Sequence, residues 1–135
     1  MKGAIKQKHS LGCGFACLAF VTGLSYDHII SYFGKIKAKK EGLYCREIVN
    51  FLKRFFPKAH FKYLKPKWKR KIYQDGTIVF IKRSEKYPYG HYLVRYKNLW
   101  MDPWINLLKD ERITKAKAGF RKRLPGKPIY AIFLK

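Results

Sequence analysis

The chain has 135 residues, enough for one domain with its own core but too few for two comfortable ones. Hydrophobic residues make up 47% of it and aromatic residues 17%, which excludes an intrinsically disordered chain. Its 31 Lys and Arg against 8 Asp and Glu give a formal net charge of +23, which predicts an anionic partner such as nucleic acid, an anionic surface or an acidic substrate. We expect a single domain over residues 1–135, helical to about residue 57 and stranded from about residue 58.

The first half of the chain has the patterns of helices. Residues 12–21 are apolar on nearly every side, which indicates a buried helix. Ser25 is the expected N-cap of a second helix that runs to Phe33. Residues 35–42 form a predicted basic turn, and residues 43–55 have the apolar spacing of an amphipathic third helix.

The second half of the chain predicts short strands separated by basic connectors. The predicted strands are residues 59–64, 77–81, 91–96, 99–103 and 128–134. Residues 65–71 and 109–127 are rich in Lys and Arg and contain Pro, so we interpret them as solvated connectors. Helices followed by strands predict an α+β fold.

The start of the chain has the composition of a signal peptide, with residues 1–10 basic and residues 11–24 mostly apolar. Two glycines break the apolar run, and no convincing cleavage site follows it. No segment reaches the length of about 18 apolar residues that a membrane span needs. We therefore expect a cytoplasmic protein without a transmembrane segment, with export as the alternative.

Three cysteines cannot all pair in disulfides, which predicts a reducing compartment or at least one working thiol. A zinc site is the rival interpretation, because Cys13 and Cys17 share a face of the predicted helix and Cys45, His28 and His60 are available. No second closely spaced pair of ligands accompanies them. We therefore expect neither a metal nor another cofactor.

Cys13 is the best candidate for a nucleophile. It lies at the predicted start of the first helix, where the dipole favours a thiolate, and Gly12 and Gly14 leave its backbone open to close approach. The alternative is a buried, inert thiol, which fits Cys17 well and applies to Cys13 taken alone. Gln7 is near enough in sequence to return beside Cys13 and hold a developing oxyanion together with the Cys13 N–H, although an exposed glutamine is equally ordinary.

A predicted hairpin brings a base and an orienting group together. Alternate side chains of residues 91–96 face opposite sides of the strand. If Lys97-Asn98 is a two-residue turn, Asp102 lies on the same face as His91, one diagonal step away. A change of one residue in the turn would move Asp102 to the other face. His91 is thus the candidate base and Asp102 its orienting group, with a half-exposed histidine and a surface aspartate as the alternative.

Together, these short motifs resemble those of a known family. The matching pieces are Gln7, Cys13-Gly14, Ala16-Cys17-Leu18, residues 90–94 and Asp102-Pro103. They resemble the papain-like bacteriocin-processing peptidases, the double-glycine leader peptidase domains and their stand-alone relatives, over nearly the whole chain. The resemblance implies a papain-like fold, in which N-terminal helices that carry the nucleophile pack on an antiparallel sheet that carries His and Asp. It assigns Cys13 as nucleophile, His91 as base, Asp102 as orienting group and Gln7 to the oxyanion hole. Gly12 departs from the family, which usually has an acidic residue there.

Three functions therefore compete. The first is a cysteine hydrolase that cleaves a peptide or related amide bond through a Cys13 thioester with His91 as base, on a substrate that the charge predicts to be acidic or otherwise anionic. The second is a nucleic-acid-binding protein on a papain-like scaffold, suggested by the interleaved Lys, Tyr and Trp of residues 62–73. The third is a thiol enzyme other than a peptidase, such as an acyl transferase, a deamidase or a cell-wall amidase. The joint presence of the four site residues favours the first.

Basic residues cluster in the three stretches 35–40, 65–71 and 115–127. We expect all three to be solvated, because they are predicted turns or connectors. Their field predicts that an anionic partner docks in or beside the cleft between the helical and stranded halves.

Overall fold

A computed structural model of the chain describes residues 2–107, 109 and 111–135, which form an α+β fold. The three α-helices are α1 (Cys13–Thr22), α2 (Tyr26–Phe33) and α3 (Cys45–Leu52). The six strands are β1 (His60–Tyr63), β2 (Ile78–Ile81), β3 (His91–Tyr96), β4 (Leu99–Asp102), β5 (Gly119–Arg121) and β6 (Pro128–Phe133). Shorter helical segments are the π-helical turn Lys37–Glu41 and the 3-10 segments Pro66–Tyr73 and Ile113–Lys115.

The first helix, α1, is the buried helix that the apolar run predicts. Every residue from Gly14 to Phe20 is buried. Gly23 ends α1 in the left-handed conformation, and its N–H donates to the Ala19 carbonyl at 2.9 Å. At the other end, a Cβ on Gly14 would lie 3.3 Å from the Tyr92 ring. The lack of a side chain at this position therefore lets the start of α1 approach β3 closely.

The other two helices differ only at their ends from the sequence-based expectation. The Ser25 hydroxyl accepts a hydrogen bond from the His28 N–H at 3.0 Å, which confirms Ser25 as the N-cap of α2. The third helix begins two residues later and ends three residues earlier than predicted. Its start is fixed by Glu47, whose carboxylate accepts from the Tyr44 N–H at 2.9 Å.

The six strands form one antiparallel sheet with the order β1-β6-β2-β3-β4-β5. The β3–β4 hairpin has the predicted register, with Val94 opposite Met101. Lys97 and Asn98 have φ values of 45° and 66°. Positive φ at both central residues matches a two-residue hairpin turn, so Asp102 lies on the same face of the sheet as His91.

Residues 109–127 were predicted as a connector, and this prediction is wrong for β5. Phe120 of this strand pairs with Met101, and Gly119 pairs with Asp102. Three residues are too few to produce a recognisable strand pattern in a sequence. The strand forms because it completes the edge of the sheet beside β4.

The basic segments 65–71 and 35–42 also contain more structure than was predicted. The first forms the 3-10 segment Pro66–Tyr73, in which Ile72 is buried and Trp68 packs on the Phe133 ring at 6.2 Å between centroids. The second contains the π-helical turn Lys37–Glu41. Both are ordered because a few apolar side chains among the lysines reach the core.

The sheet separates two hydrophobic cores. On one face, α1, α2 and α3 pack on side chains that alternate along the strands: Ile78, Tyr92, Val94, Met101 and Ile132. On the other face, the segment Pro66–Tyr73 covers the intervening side chains: Val79, Ile81, Leu93, Trp100, Ala131 and Phe133. The two faces of the sheet are therefore covered by chemically different layers.

Within the described part of the chain, no single helix is long and apolar enough to cross a membrane. The helices α1 and α2 reach the required length only when taken together, and they are bent by 119° where they meet.

Candidate active site

Cys13 is half-buried and lies at the start of α1, in the wall of a cavity of about 960 Å³. The Tyr92 N–H donates to the Cys13 Sγ at 3.4 Å. As the first residue of the helix, Cys13 has an N–H without an acceptor inside the helix. The sulfur therefore lies where a helix N-terminus and a donated N–H both favour negative charge.

His91 connects Cys13 to Asp102. Its Nε2 lies 2.6 Å from Asp102 Oδ1, and its ring is near enough to Cys13 for the thiol to help raise the His91 pKa. Because Nε2 faces Asp102, Nδ1 is the nitrogen left for the thiol. Burial lowers the pKa of His91, but the hydrogen bond with Asp102 and the nearby Cys13 thiol outweigh burial, so the pKa is raised above its usual value. The folded protein therefore favours the imidazolium form of His91.

Asp102 is fully buried and has three partners. Its Oδ1 accepts from His91 and from the Trp104 N–H at 3.0 Å, and its Oδ2 lies 3.1 Å from Arg121 Nε. The contact with Arg121 is an ion pair without the alignment of a hydrogen bond. Burial raises the pKa of Asp102, but the hydrogen bond from His91 and the nearby positive charges outweigh it, so this pKa is lowered. Asp102 is therefore a charged group that fixes the His91 ring.

Gln7 is brought to the same cavity, but its amide group is engaged elsewhere. The side chain is 2% exposed, and Nε2 donates to the carbonyls of His9 at 3.0 Å and Ser10 at 3.2 Å. The Gln7 N–H donates to the Pro103 carbonyl at 3.2 Å, which joins this segment to the end of β4. Both amide hydrogens of Gln7 are thus used to shape the turn before Cys13.

Sequence analysis did not identify three residues that contact the site. The Tyr87 ring stacks on His91 at 5.2 Å between centroids, and Trp104 and Arg121 contact Asp102 as described above. Arg121 is one cation among 31 Lys and Arg, and it lies in the strand that sequence patterns missed. The position of Trp104, directly after Asp102-Pro103, was the one available clue.

Some residues of the cavity wall carry buried polar atoms without a hydrogen-bond partner. Gln7 Oε1, Tyr87 Oη and Trp104 Nε1 are buried and have no hydrogen-bond partner among the described residues. Buried polar groups in proteins are nearly always hydrogen-bonded, so these three atoms are exceptions.

The cavity is nearly balanced in charge, unlike the whole chain. At least four of the eight acidic residues line it: Glu41, Glu47, Glu85 and Glu111. The basic residues in its lining are Arg46, Lys82, Arg83 and Lys86. Carboxylates are therefore concentrated here, within a molecule whose net charge is +23.

Gly12 has no room for a side chain. A Cβ at this position would overlap the Tyr26 hydroxyl, which is hydrogen-bonded to His9 Nδ1 at 2.9 Å. The Tyr26 hydroxyl thus occupies the space that the side chain of an acidic residue at position 12, expected from the resemblance, would need.

The other two cysteines occupy different environments. Cys17 is fully buried, and burial raises its pKa well above the usual value. Cys45 is half-buried and lines the same cavity as Cys13, with its Sγ 3.6 Å from the Tyr92 hydroxyl, and burial raises its pKa as well. In residues 2–107, 109 and 111–135, no group of three His, Cys, Asp or Glu side chains is placed to hold a metal ion.

Comparisons with protein-family models, curated proteins and solved structures found no match to this chain.

Proposed function

We propose that the protein is a cysteine hydrolase of papain-like fold, which cleaves a peptide or related amide bond through a thioester on Cys13. The observation that carries this proposal is the line of contacts from Asp102 through His91 to Cys13. A thiol beside an imidazole that a carboxylate orients is the arrangement of an activated nucleophile. The raised pKa of His91 supports it further, because an imidazolium next to the sulfur stabilises the thiolate.

In the proposed acylation step, the Cys13 thiolate attacks the carbonyl carbon of the scissile amide. His91 then donates its proton to the leaving nitrogen, the C–N bond breaks and an amine departs. In the second step, neutral His91 removes a proton from water while the water oxygen attacks the thioester. The C–S bond breaks and releases a carboxylic acid, and the thiolate and imidazolium are restored.

The oxyanion of each tetrahedral intermediate needs donors near Cys13. The Cys13 N–H is available at the start of α1 without any rearrangement. Gln7 contributes in the proposed mechanism only when one of its hydrogen bonds, to His9 or to Ser10, is exchanged for the substrate oxygen. The orphaned N–H of Trp104 is a further donor in the same wall.

The papain-like assignment is supported by how the two halves meet. The helix that carries the thiol packs on the strand that carries His91, and the next strand supplies the carboxylate. This is the arrangement that the resemblance implies, a nucleophile on a helix facing a base and an orienting group on an antiparallel sheet.

The charge of the cavity lining favours a neutral or mixed-charge peptide substrate over a strongly acidic one. The lining contains as many carboxylates as cations, so it exerts little net attraction on an acidic segment. Because all three cysteines are free thiols, we also propose that the enzyme acts in a reducing compartment such as the cytoplasm.

The proposal is tested by trapping the acyl-enzyme with an activated ester, such as p-nitrophenyl acetate, and measuring the intact mass. The wild type and Cys45→Ala should each gain one acetyl group in the first turnover, whereas Cys13→Ala should gain none. Cys45→Ala is a matched control because it removes a second thiol from the same cavity. Acylation that persists in Cys13→Ala and disappears in Cys45→Ala would refute the assignment.

A second measurement separates hydrolysis from the other thiol chemistries. A mixture of peptides of varied sequence is incubated with the wild type and with Cys13→Ala, and the products are analysed by mass spectrometry. New peptide termini that require Cys13 support a peptidase. Deamidated or acyl-transferred products without new termini would favour a different thiol enzyme on the same site.

A further inference from the structure

A second cavity, of about 270 Å³, lies on the sheet face opposite the helices and is strongly basic. Four cations line it: Lys69, Lys122, Arg123 and Lys127. Its other lining residues are apolar or aromatic, namely Ile72, Tyr73, Trp100, Leu124 and Pro128, so among the described residues no carboxylate borders it. The predicted connectors 65–71 and 115–127 thus meet at one place in the fold.

More positive charge gathers around Trp68, which precedes Lys69 in the segment Pro66–Tyr73. Lys62, Lys67 and Lys71 surround the indole ring of Trp68, with their Nζ atoms 4.8, 5.7 and 4.5 Å from its centroid. We call these three lysines and the four cations of the cavity the basic face. None of the seven forms an ion pair with a carboxylate of residues 2–107, 109 or 111–135. Like charges held close together repel one another, and a bound anion relieves that repulsion.

Aromatic side chains provide the other half of the site. Tyr73, in the wall of the cavity, is 57% exposed. Behind it, the Arg95 guanidinium lies 5.0 Å from the Tyr73 ring and 5.1 Å from the Trp100 ring. Arg95 is only 9% exposed, and its Nε has no hydrogen-bond partner among the described residues. A buried cation therefore holds the ring in place and adds to the positive potential of the cavity.

We propose that the basic face binds single-stranded nucleic acid, with phosphates on the lysines and a base against Tyr73. Lysine is a flexible point charge that suits a phosphate chain, and a half-exposed aromatic ring offers a surface on which any base can stack. A lipid headgroup would use the lysines but has no ring to place on Tyr73. The site shares no lining residue with the cavity at Cys13, so its occupation does not depend on the hydrolase.

The test is fluorescence anisotropy with a labelled 20-nucleotide oligothymidine. One variant carries Lys69→Gln, Lys122→Gln and Lys127→Gln, and a control carries Lys35→Gln, Lys39→Gln and Lys40→Gln in the exposed basic segment near α2. Both variants lose three positive charges. The first should bind about tenfold or more weakly than the wild type, and its slope of log affinity against log salt should fall in magnitude by about two. The control should change by less than about threefold.

A third variant, Tyr73→Ser, tests the stacking without changing the charge. It should weaken binding by about tenfold and leave the salt slope unchanged. Equal losses in the two triple variants, or no loss in Tyr73→Ser when circular dichroism shows it folded, would overturn the proposal. Anionic phosphatidylglycerol vesicles are tested in parallel, and binding to vesicles but not to the oligonucleotide would also overturn it, in favour of a membrane surface.

Discussion

The cavity at Cys13 and the basic face belong to the same small chain, yet charges are balanced at the cavity and unbalanced on the basic face. Behind His91 in the cavity wall, the buried carboxylate of Asp102 is matched by His91 and Arg121, and carboxylates and cations line the cavity in equal numbers. On the basic face, seven cations gather without a paired carboxylate among the described residues. The net charge of +23 therefore describes the basic face well and the cavity hardly at all. A charge summed over a chain does not predict the partner of each site.

The strongest way to separate the two regions is to remove the base. His91→Ala should lower peptide turnover by about 10²–10⁴-fold or more, because general acid–base catalysis and the imidazolium beside the thiolate are both lost. Oligonucleotide binding should be unchanged. The exposed residue His28 provides the control variant His28→Ala, which should keep full turnover. Near-normal turnover in His91→Ala would show that the base is wrongly assigned.

A milder change removes the negative charge of Asp102 and nearly preserves the shape of its side chain. Asp102→Asn should lower turnover by about 10- to 10³-fold, because the neutral amide still contacts His91 but no longer stabilises its charged form. Asp75→Asn, in an exposed turn, is the matched control and should have no effect on turnover. If both variants had the same steady-state rate as the wild type, Asp102 would have no orienting role.

Salt should distinguish the two regions without any mutation. Between about 50 and 200 mM salt, oligonucleotide affinity should fall by about 10- to 10³-fold, because bound phosphates release counterions. Turnover of a small neutral substrate should change less than about twofold, since a balanced cavity exerts little net field on it. The comparison fails if the two quantities depend on salt to the same extent.

The ionic groups of the cavity should also give it a distinct pH dependence. The raised pKa of His91 means that its stabilising effect is complete below the usual value of 6.5 and is lost as pH rises through the raised value. The lowered pKa of Asp102 means that its effect is present above the usual value of 3.8 and is lost as pH falls through the lowered value. The difference in unfolding free energy between wild type and Asp102→Asn, measured with urea, should therefore be largest from about pH 4 to 6.5. A difference that grows steadily towards pH 10 would contradict this.

The smallest effect concerns the backbone that carries His91 into the cavity. Gly90 has a φ of +72°, and a Cβ there would overlap the Phe80 ring. Gly90→Ala should lower the free energy of unfolding by about 1–3 kcal/mol and reduce turnover more than oligonucleotide binding. Gly3→Ala, where a Cβ meets no atom within 4 Å, is the control and should leave stability unchanged. Thermal unfolding of both variants makes the comparison.

Structural features that depend on residues close together in the sequence could be predicted. The buried helix α1 follows from its apolar run, and the turn at Lys97-Asn98 determined the relation between His91 and Asp102. These features involve short stretches of chain, so local chemistry decides them. The orientation of the Gln7 amide was not predictable, because the carbonyls that hold it are one choice among several nearby.

Features that depend on distant segments could not be predicted. The ion pair of Arg121 with Asp102 requires β5, which is stable only when β4 lies beside it. The basic face requires residues 65–71 and 122–127 to meet across the sheet, and no periodicity within either segment encodes that meeting. The basic stretches were recognised, but their placement around a cavity separate from Cys13 was a property of the fold.

The position of β6 has a consequence for the order in which the sheet forms. This strand comes latest of the six along the chain, yet it lies between β1 and β2, where Ala131 pairs with both Lys62 and Val79. The sheet can therefore join its two parts only after β6 has been synthesised. Sheets whose paired strands are far apart in the sequence fold slowly. Cys13, His91 and Asp102 are therefore all synthesised before the strand that completes the sheet.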